Sequence, residues 1–308
     1  MTATLEAEQA SSTGAKAKSF LRLVMIEHSV FALPFAYLAV LFASFDDGPP
    51  GHTGGVHWLR LLGVTVAMVA ARTFAMAVNR IVDRRLDASN PRTAQRELVT
   101  GAVSVRTATI GSAVSLLVFL VVAGLLSPLC LALSPLALFL FVLYPYGKRF
   151  TWFCHGILGL AQACGPIGAW IATTRHWSWP AVVLGLAVGL WIGGFDLVYA
   201  LQDIDADRAN GVYSLPARFG IATSLRVSEL CHLVTLGLFA LFGAWEGAGA
   251  VWWIGVAVTG AAFTYEHAIV RSDDLSRINR AFFTTNGFVG IALFGFGLVD
   301  LLVRGLHG

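Results

Sequence analysis

The sequence predicts an all-α integral membrane protein, a bundle of about nine transmembrane helices around a central cavity. Of its 308 residues, 56% are hydrophobic and 13% charged, with a mean hydropathy of +0.72, where soluble domains carry about 25% charged residues. Apolar runs long enough to cross a bilayer, roughly 17 to 25 residues each, recur along nearly the whole chain. The charged residues concentrate in the breaks between runs and at two helix ends.

Read against those breaks, the spans fall near 20–43, 57–80, 105–126, 129–145, 155–174, 180–203, 223–245, 249–270 and 280–304. Asp46-Asp47-Gly48-Pro49-Pro50, Ser127-Pro128 and Glu246-Gly247 are turn chemistry. Residues 1–15 are polar and small, and no small-residue cleavage site follows the first apolar run. A disordered tail over 1–18 and a single membrane domain over 19–308, with its first helix retained, are therefore expected.

A net charge of +3 is compatible with nucleic-acid binding, but the basic residues form short clusters between spans and no continuous stripe, so a nucleic-acid partner is not expected. Seventeen of the 21 Lys and Arg fall on one side if the N-terminus lies inside, which predicts a multi-pass protein of the inner (cytoplasmic) membrane with its charged loops in the cytoplasm. Cys130, Cys154, Cys164 and Cys231 stand singly in or beside apolar spans and read as packing residues. Trp177, Trp179, Trp252 and Trp253 read as interfacial anchors.

The chemistry lies at two helix ends. On the second span Arg72, Asn79, Asp83 and Asp87 share one face, the last three at about 340°, 20° and 60° from Arg72 at helical pitch. The sixth span ends in Asp196, Tyr199, Asp203 and Asp207, and the same arithmetic puts Asp203 and Asp207 about 340° and 20° from Asp196. Ionisable groups in a membrane helix cost several kcal/mol unless they face protein or a wet cavity, so both faces must point inward. Four carboxylates together require cations, and hard oxygen ligands suit Mg2+, which typically binds one or two carboxylates plus substrate phosphates. A diphosphate is the implied ligand, with Arg92, Arg96, Lys148, Arg149 and Arg218 in the adjoining loops as donors to it. A secondary transporter is the rival reading, because intramembrane carboxylates also mark ion pathways. Clustering toward one membrane face beside basic loops speaks for the diphosphate site.

These residues resemble the UbiA superfamily of intramembrane prenyltransferases over essentially the whole chain. Asn79 to Asp87 reads NRxxDxxxD against the family's NDxxDxxxD, so Arg80 stands where an acidic residue is usual. Asp203 and Asp207 match the second motif, DxxxD, with Asp196 and Tyr199 also in family positions. Further matches are Asn90-Pro-Arg-Thr, Gln95-Arg-Glu-Leu, Tyr144-Pro-Tyr-Gly-Lys-Arg and Ser214-Leu-Pro-Ala-Arg-Phe-Gly. The resemblance implies Mg2+ on Asp83, Asp87, Asp203 and Asp207. It adds Asn79, Tyr144 and Tyr199 to the diphosphate site, catalytic roles for Asp83, Asp196, Asp203 and Asp207, and a cavity open sideways to lipid for a polyprenyl diphosphate.

Glu27-His-Ser-Val-Phe-Ala-Leu-Pro34 and the Asn90 segment look like the 4-hydroxybenzoate polyprenyltransferase-like subgroup, some members of which are linked to menaquinone made through futalosine. The acceptor is then an aromatic carboxylic acid, 4-hydroxybenzoate or 1,4-dihydroxy-6-naphthoate. Arg72, two turns deeper than Asn79, stands where the family places its clamp for the acceptor carboxylate; the alternative is a structural bridge to Asp196. Glu27 and His28 are read as support for the site, against a plain interfacial role. Glu266 and His267 repeat the pair and are read mainly as structural.

Overall fold

The computed structural model describes residues 19, 20, 22–24, 32–46 and 57–307, and Glu27 and His28 lie outside them. The described chain is helical: α1 (Leu33–Asp46), α2 (Trp58–Ser89), a short α3 (Glu97–Thr100), α4 (Val105–Leu126), α5 (Pro128–Gly147), α6 (Cys154–Thr174), α7 (Trp179–Ala200), a short α8 (Ile204–Ala209), α9 (Leu215–Trp245), α10 (Ala250–Ile269) and α11 (Asn286–His307). A π turn, Arg280–Thr285, leads into α11.

Seven of these helices, some counted with their extensions, are long and apolar enough to cross a membrane. The shorter α1 and the less apolar α10 stand where the first and eighth spans are predicted, so among the described residues each of the nine predicted spans corresponds to a helix, and seven of those helices are long and apolar enough to cross a membrane. Leu117, Leu125, Leu136 and Phe139 on α4 and α5 are exposed, an apolar surface that suits lipid and not water. The protein is a multi-pass integral membrane protein.

α2 runs well past the predicted end at residue 80. Its 32 residues span roughly 48 Å, more than the ~30 Å hydrocarbon core, and this carries the first motif to the membrane surface. Pro91 sets the stop, because the residue before a proline is pushed out of the helical region, and Asn90 is extended at φ −102°, ψ 117°.

α6 and α7 cross at two glycines. A Cβ on Gly189 would lie 2.4 Å from the Gly159 carbonyl oxygen, and one on Gly159 would lie 2.6 Å from that of Gly189. Only glycine permits this approach, which brings the start of α6 beside the end of α7.

Two helices depart from the sequence reading. α9 begins at Leu215, capped by Ser214, and is re-aimed at Gly220 (φ 80°, ψ 176°), so it starts well before the expected residue 223. α7 does not continue to Asp207; Leu201–Asp203 form a 3-10 turn before α8. Trp252 is also corrected. It is fully buried, donates Nε1–H to the Phe239 carbonyl at 3.2 Å and packs edge-on against Phe42, so it is core and no anchor, whereas Trp177, Trp179 and Trp253 are exposed.

Candidate active site

A cavity of about 590 Å³ opens where the ends of α2 and α7 face each other across the start of α6. Six cationic side chains line it (Arg22, Arg72, Arg80, Arg92, Arg96, Lys148), and so do six carboxylates (Asp83, Asp87, Glu97, Asp196, Asp203, Asp207). Opposite charges at this density are compatible with a polar ligand that exchanges partners with them.

The first motif is buried and paired. Asp83 is 1% exposed and meets Lys148 Nζ, Arg149 Nη1 at 3.1 Å and Asn79 Nδ2 at 3.3 Å. Arg149 does not itself line the cavity, but it is fixed behind Asp83 by donating to the Pro145 and Val82 carbonyls at 2.5 and 2.9 Å. Lys148 is held by its backbone carbonyl, which accepts from Tyr213 N–H at 2.7 Å. Asp87 accepts from Arg96 Nη1 at 2.5 Å.

The loop after α2 ties this motif to the second one. Arg92 grips Asp203 with two parallel bonds, Nε to Oδ1 at 2.8 Å and Nη2 to Oδ2 at 2.5 Å, and adds a third to the Tyr199 hydroxyl at 3.2 Å. Asn90 Nδ2 reaches the same Oδ1 at 2.7 Å. Burial alone would ease the proton off Arg92, but the hydrogen bond and charge of Asp203 outweigh it and hold the guanidinium above its ordinary pKa. Asp207 accepts from Ser214 Oγ at 2.6 Å, so the cap of α9 positions a motif carboxylate.

The angular reading of the second motif needs a physical correction. The 3-10 turn breaks the even 100° step between Asp196 and Asp207. All three aspartates nonetheless line the cavity, Asp196 from α7 and the other two from the turn and α8. Asn79, Tyr144, Tyr199 and Arg72 line it as well. Arg218 does not; it is exposed and lies over the Phe219 ring at 5.6 Å. Arg80 is 5% exposed, and its Nε donates to the Leu23 carbonyl at 3.3 Å, tying the chain near residue 23 onto α2.

Several cavity residues were given no site role in the sequence reading: His155, Gln162, Glu97 and, as a lining cation, Arg22. His155 Nδ1 lies 2.8 Å from Asp196 Oδ2, so the imidazole is a partner of Asp196. A smaller apolar pocket of about 110 Å³, lined by Met68, Ala75, Phe141 and Ala161 among others, shares Arg72, Tyr144 and Gln162 with the main cavity. Arg72 thus stands at the junction of a charged chamber and an apolar one.

Fold and site define a class: an all-helical membrane protein that gathers two aspartate motifs and their basic partners at one end of the bundle. The UbiA prenyltransferase family model matches residues 32–288, and the chain belongs to that family. It is 33% identical to a 4-hydroxybenzoate octaprenyltransferase of Nitrosospira multiformis over 245 residues, 79% of this chain and 83% of that protein. A UbiA homologue from Aeropyrum pernix K1, solved in its apo form, superposes with a TM-score of 0.78 at 32% identity, covering 89% of this chain and 98% of that one. A second homologue, from Archaeoglobus fulgidus bound to GPP and Mg2+, shares the fold at a TM-score of 0.68 and 17% identity, with 92% and 99% covered. The protein is a prenyltransferase of the 4-hydroxybenzoate polyprenyltransferase type, and the transporter reading is set aside.

Proposed function

We propose that the chain transfers a polyprenyl group from a polyprenyl diphosphate to an aromatic carboxylic acid, 4-hydroxybenzoate or 1,4-dihydroxy-6-naphthoate, in ubiquinone or menaquinone synthesis. Residues 19–308 serve this one activity as a single membrane domain. The charged end of the bundle faces the cytoplasm, as the basic loops require.

The observation that carries the reading is the pairing of each motif with its own cations: Asp83 with Lys148 and Arg149, Asp87 with Arg96, Asp203 with Arg92. That donor set fits Mg2+ arriving with substrate, since Mg2+ commonly binds through one or two carboxylates plus phosphate oxygens. Asp83 with Asp87 on one side, and Asp203 with Asp207 on the other, would each offer such a pair of carboxylates, and Mg2+ bound there would supply charge stabilisation to the departing diphosphate. Lys148, Arg92 and Arg96 would turn from carboxylate to phosphate, so every charge keeps a partner throughout. Arg149 backs Asp83. We assign no diphosphate contact to Arg218.

At the junction of the two pockets, Arg72 offers a planar fork for the acceptor's carboxylate and orients the ring toward the allylic carbon. The apolar walls keep water from the allylic cation. Product analysis by mass spectrometry tests the proposal, using purified protein, Mg2+, a series of prenyl diphosphates and both acceptors. A prenylated aromatic acid is expected; diphosphate hydrolysis with no prenylated acceptor would refute it.

A further inference from the structure

We propose that His155 is the base that removes the ring proton of the acceptor, with Asp196 as the residue that positions it; this rests on the aromatic-acceptor reading above. His155 opens α6 and lines the cavity at 8% exposure. Its Nδ1 lies 2.8 Å from Asp196 Oδ2, and its Nε2 is buried with no hydrogen-bond partner among the described residues. An ionised carboxylate only accepts, so Nδ1 carries the hydrogen, and in the neutral form of the ring, the form proposed to act, Nε2 presents a lone pair. A base oriented by a carboxylate through its other nitrogen is the arrangement that activates imidazole in many hydrolytic sites. The motif carboxylates Asp83, Asp87, Asp203 and Asp207 are poor candidates, because they are the groups proposed above to hold Mg2+ while the substrate is bound.

The step balances. The C1–O bond of the prenyl diphosphate breaks, and both electrons leave with the diphosphate. A π pair of the ring forms the new carbon–carbon bond to C1. The hydrogen on that ring carbon leaves as a proton to Nε2, its bonding pair restores the aromatic ring, and Asp196 stabilises the imidazolium. The proton then passes to the diphosphate or to water.

The test uses His155→Gln in the full-length protein, with whichever of the two acceptors gives product, unlabelled and ring-deuterated. Glutamine keeps the size of the side chain and can still hydrogen-bond Asp196. The expected result is a fall in kcat of about 10²–10⁴-fold, the usual contribution of a placed general base. The KM for prenyl diphosphate should be unchanged, and the primary deuterium isotope effect on kcat should exceed that of the unaltered protein. An unchanged kcat overturns the proposal. So does a fall in kcat without a larger isotope effect, which would mean a structural or phosphate-binding role. If the glutamine variant does not fold, Asp196→Asn receives the same measurement, with the same isotope effect expected and its absence equally contrary. Failure of the unaltered protein to prenylate either acid would instead sink the functional proposal.

Discussion

Replacing Asp83 with Ala removes the carboxylate that Lys148 and Arg149 share. Truncating one partner of a fully buried pair costs about 3–5 kcal/mol. Here the side chains of Lys148 and Arg149 are 27% and 35% exposed, so water takes over part of their solvation. The cost to folding should therefore be about 1–2 kcal/mol, within the ~5–15 kcal/mol stability typical of folded proteins. The cost to chemistry should be larger. Losing one preorganised group that stabilises transition-state charge commonly lowers kcat by about 10²–10³-fold, and Asp83 is proposed both to bind Mg2+ and to orient two cations. Asp83→Ala, and likewise Asp203→Ala, should thus run as a folded species on size-exclusion chromatography in detergent yet give almost no prenylated product with Mg2+ present. Near-normal turnover of folded Asp83→Ala would refute the assignment of this motif.

Three further outcomes are expected. Arg72→Ala should raise the acceptor KM or lower kcat with little change in prenyl diphosphate affinity; loss of prenyl diphosphate binding with normal acceptor affinity would favour a structural bridge. A cysteine replacing Arg92 should react with an impermeant reagent only from the cytoplasmic side of oriented membranes, and labelling only from outside would reverse the topology. Gly189→Val forces side-chain atoms against the Gly159 carbonyl. Overpacking of this kind costs about 1–3 kcal/mol or more, so thermal unfolding in detergent should occur at a clearly lower temperature; an unchanged midpoint would mean that the α6–α7 crossing tolerates separation.

The features legible in the sequence were those that depend on regular periodicity. α2 is one unbroken helix, so Asn79, Asp83 and Asp87 do share a face, as a 100° step requires. The second motif gathered the expected residues for a different reason, because the turn at Leu201–Asp203 breaks the step and the loop carrying Asn90 and Arg92 reaches across to Asp203. His155 gave no local signal: it lies in an apolar span, and its partner is 41 residues later. Trp252 sits next to Trp253 at a helix start, and only packing separates the buried ring from the exposed one. Glu266 is fully buried, and His267 lies 3.0 Å from His232 Nδ1, contacts made across helices that no spacing within α10 encodes.

The two aspartate motifs are proposed to hold one Mg2+-associated diphosphate between them. Binding of a prenyl diphosphate to the purified protein, titrated with Mg2+ present and with the metal chelated by EDTA, tests this most directly. Tight binding in Mg2+ that is lost in EDTA, and lost also in Asp83→Ala and Asp203→Ala, is the predicted result. Equal affinity with and without the metal, or full affinity in both variants, would contradict it.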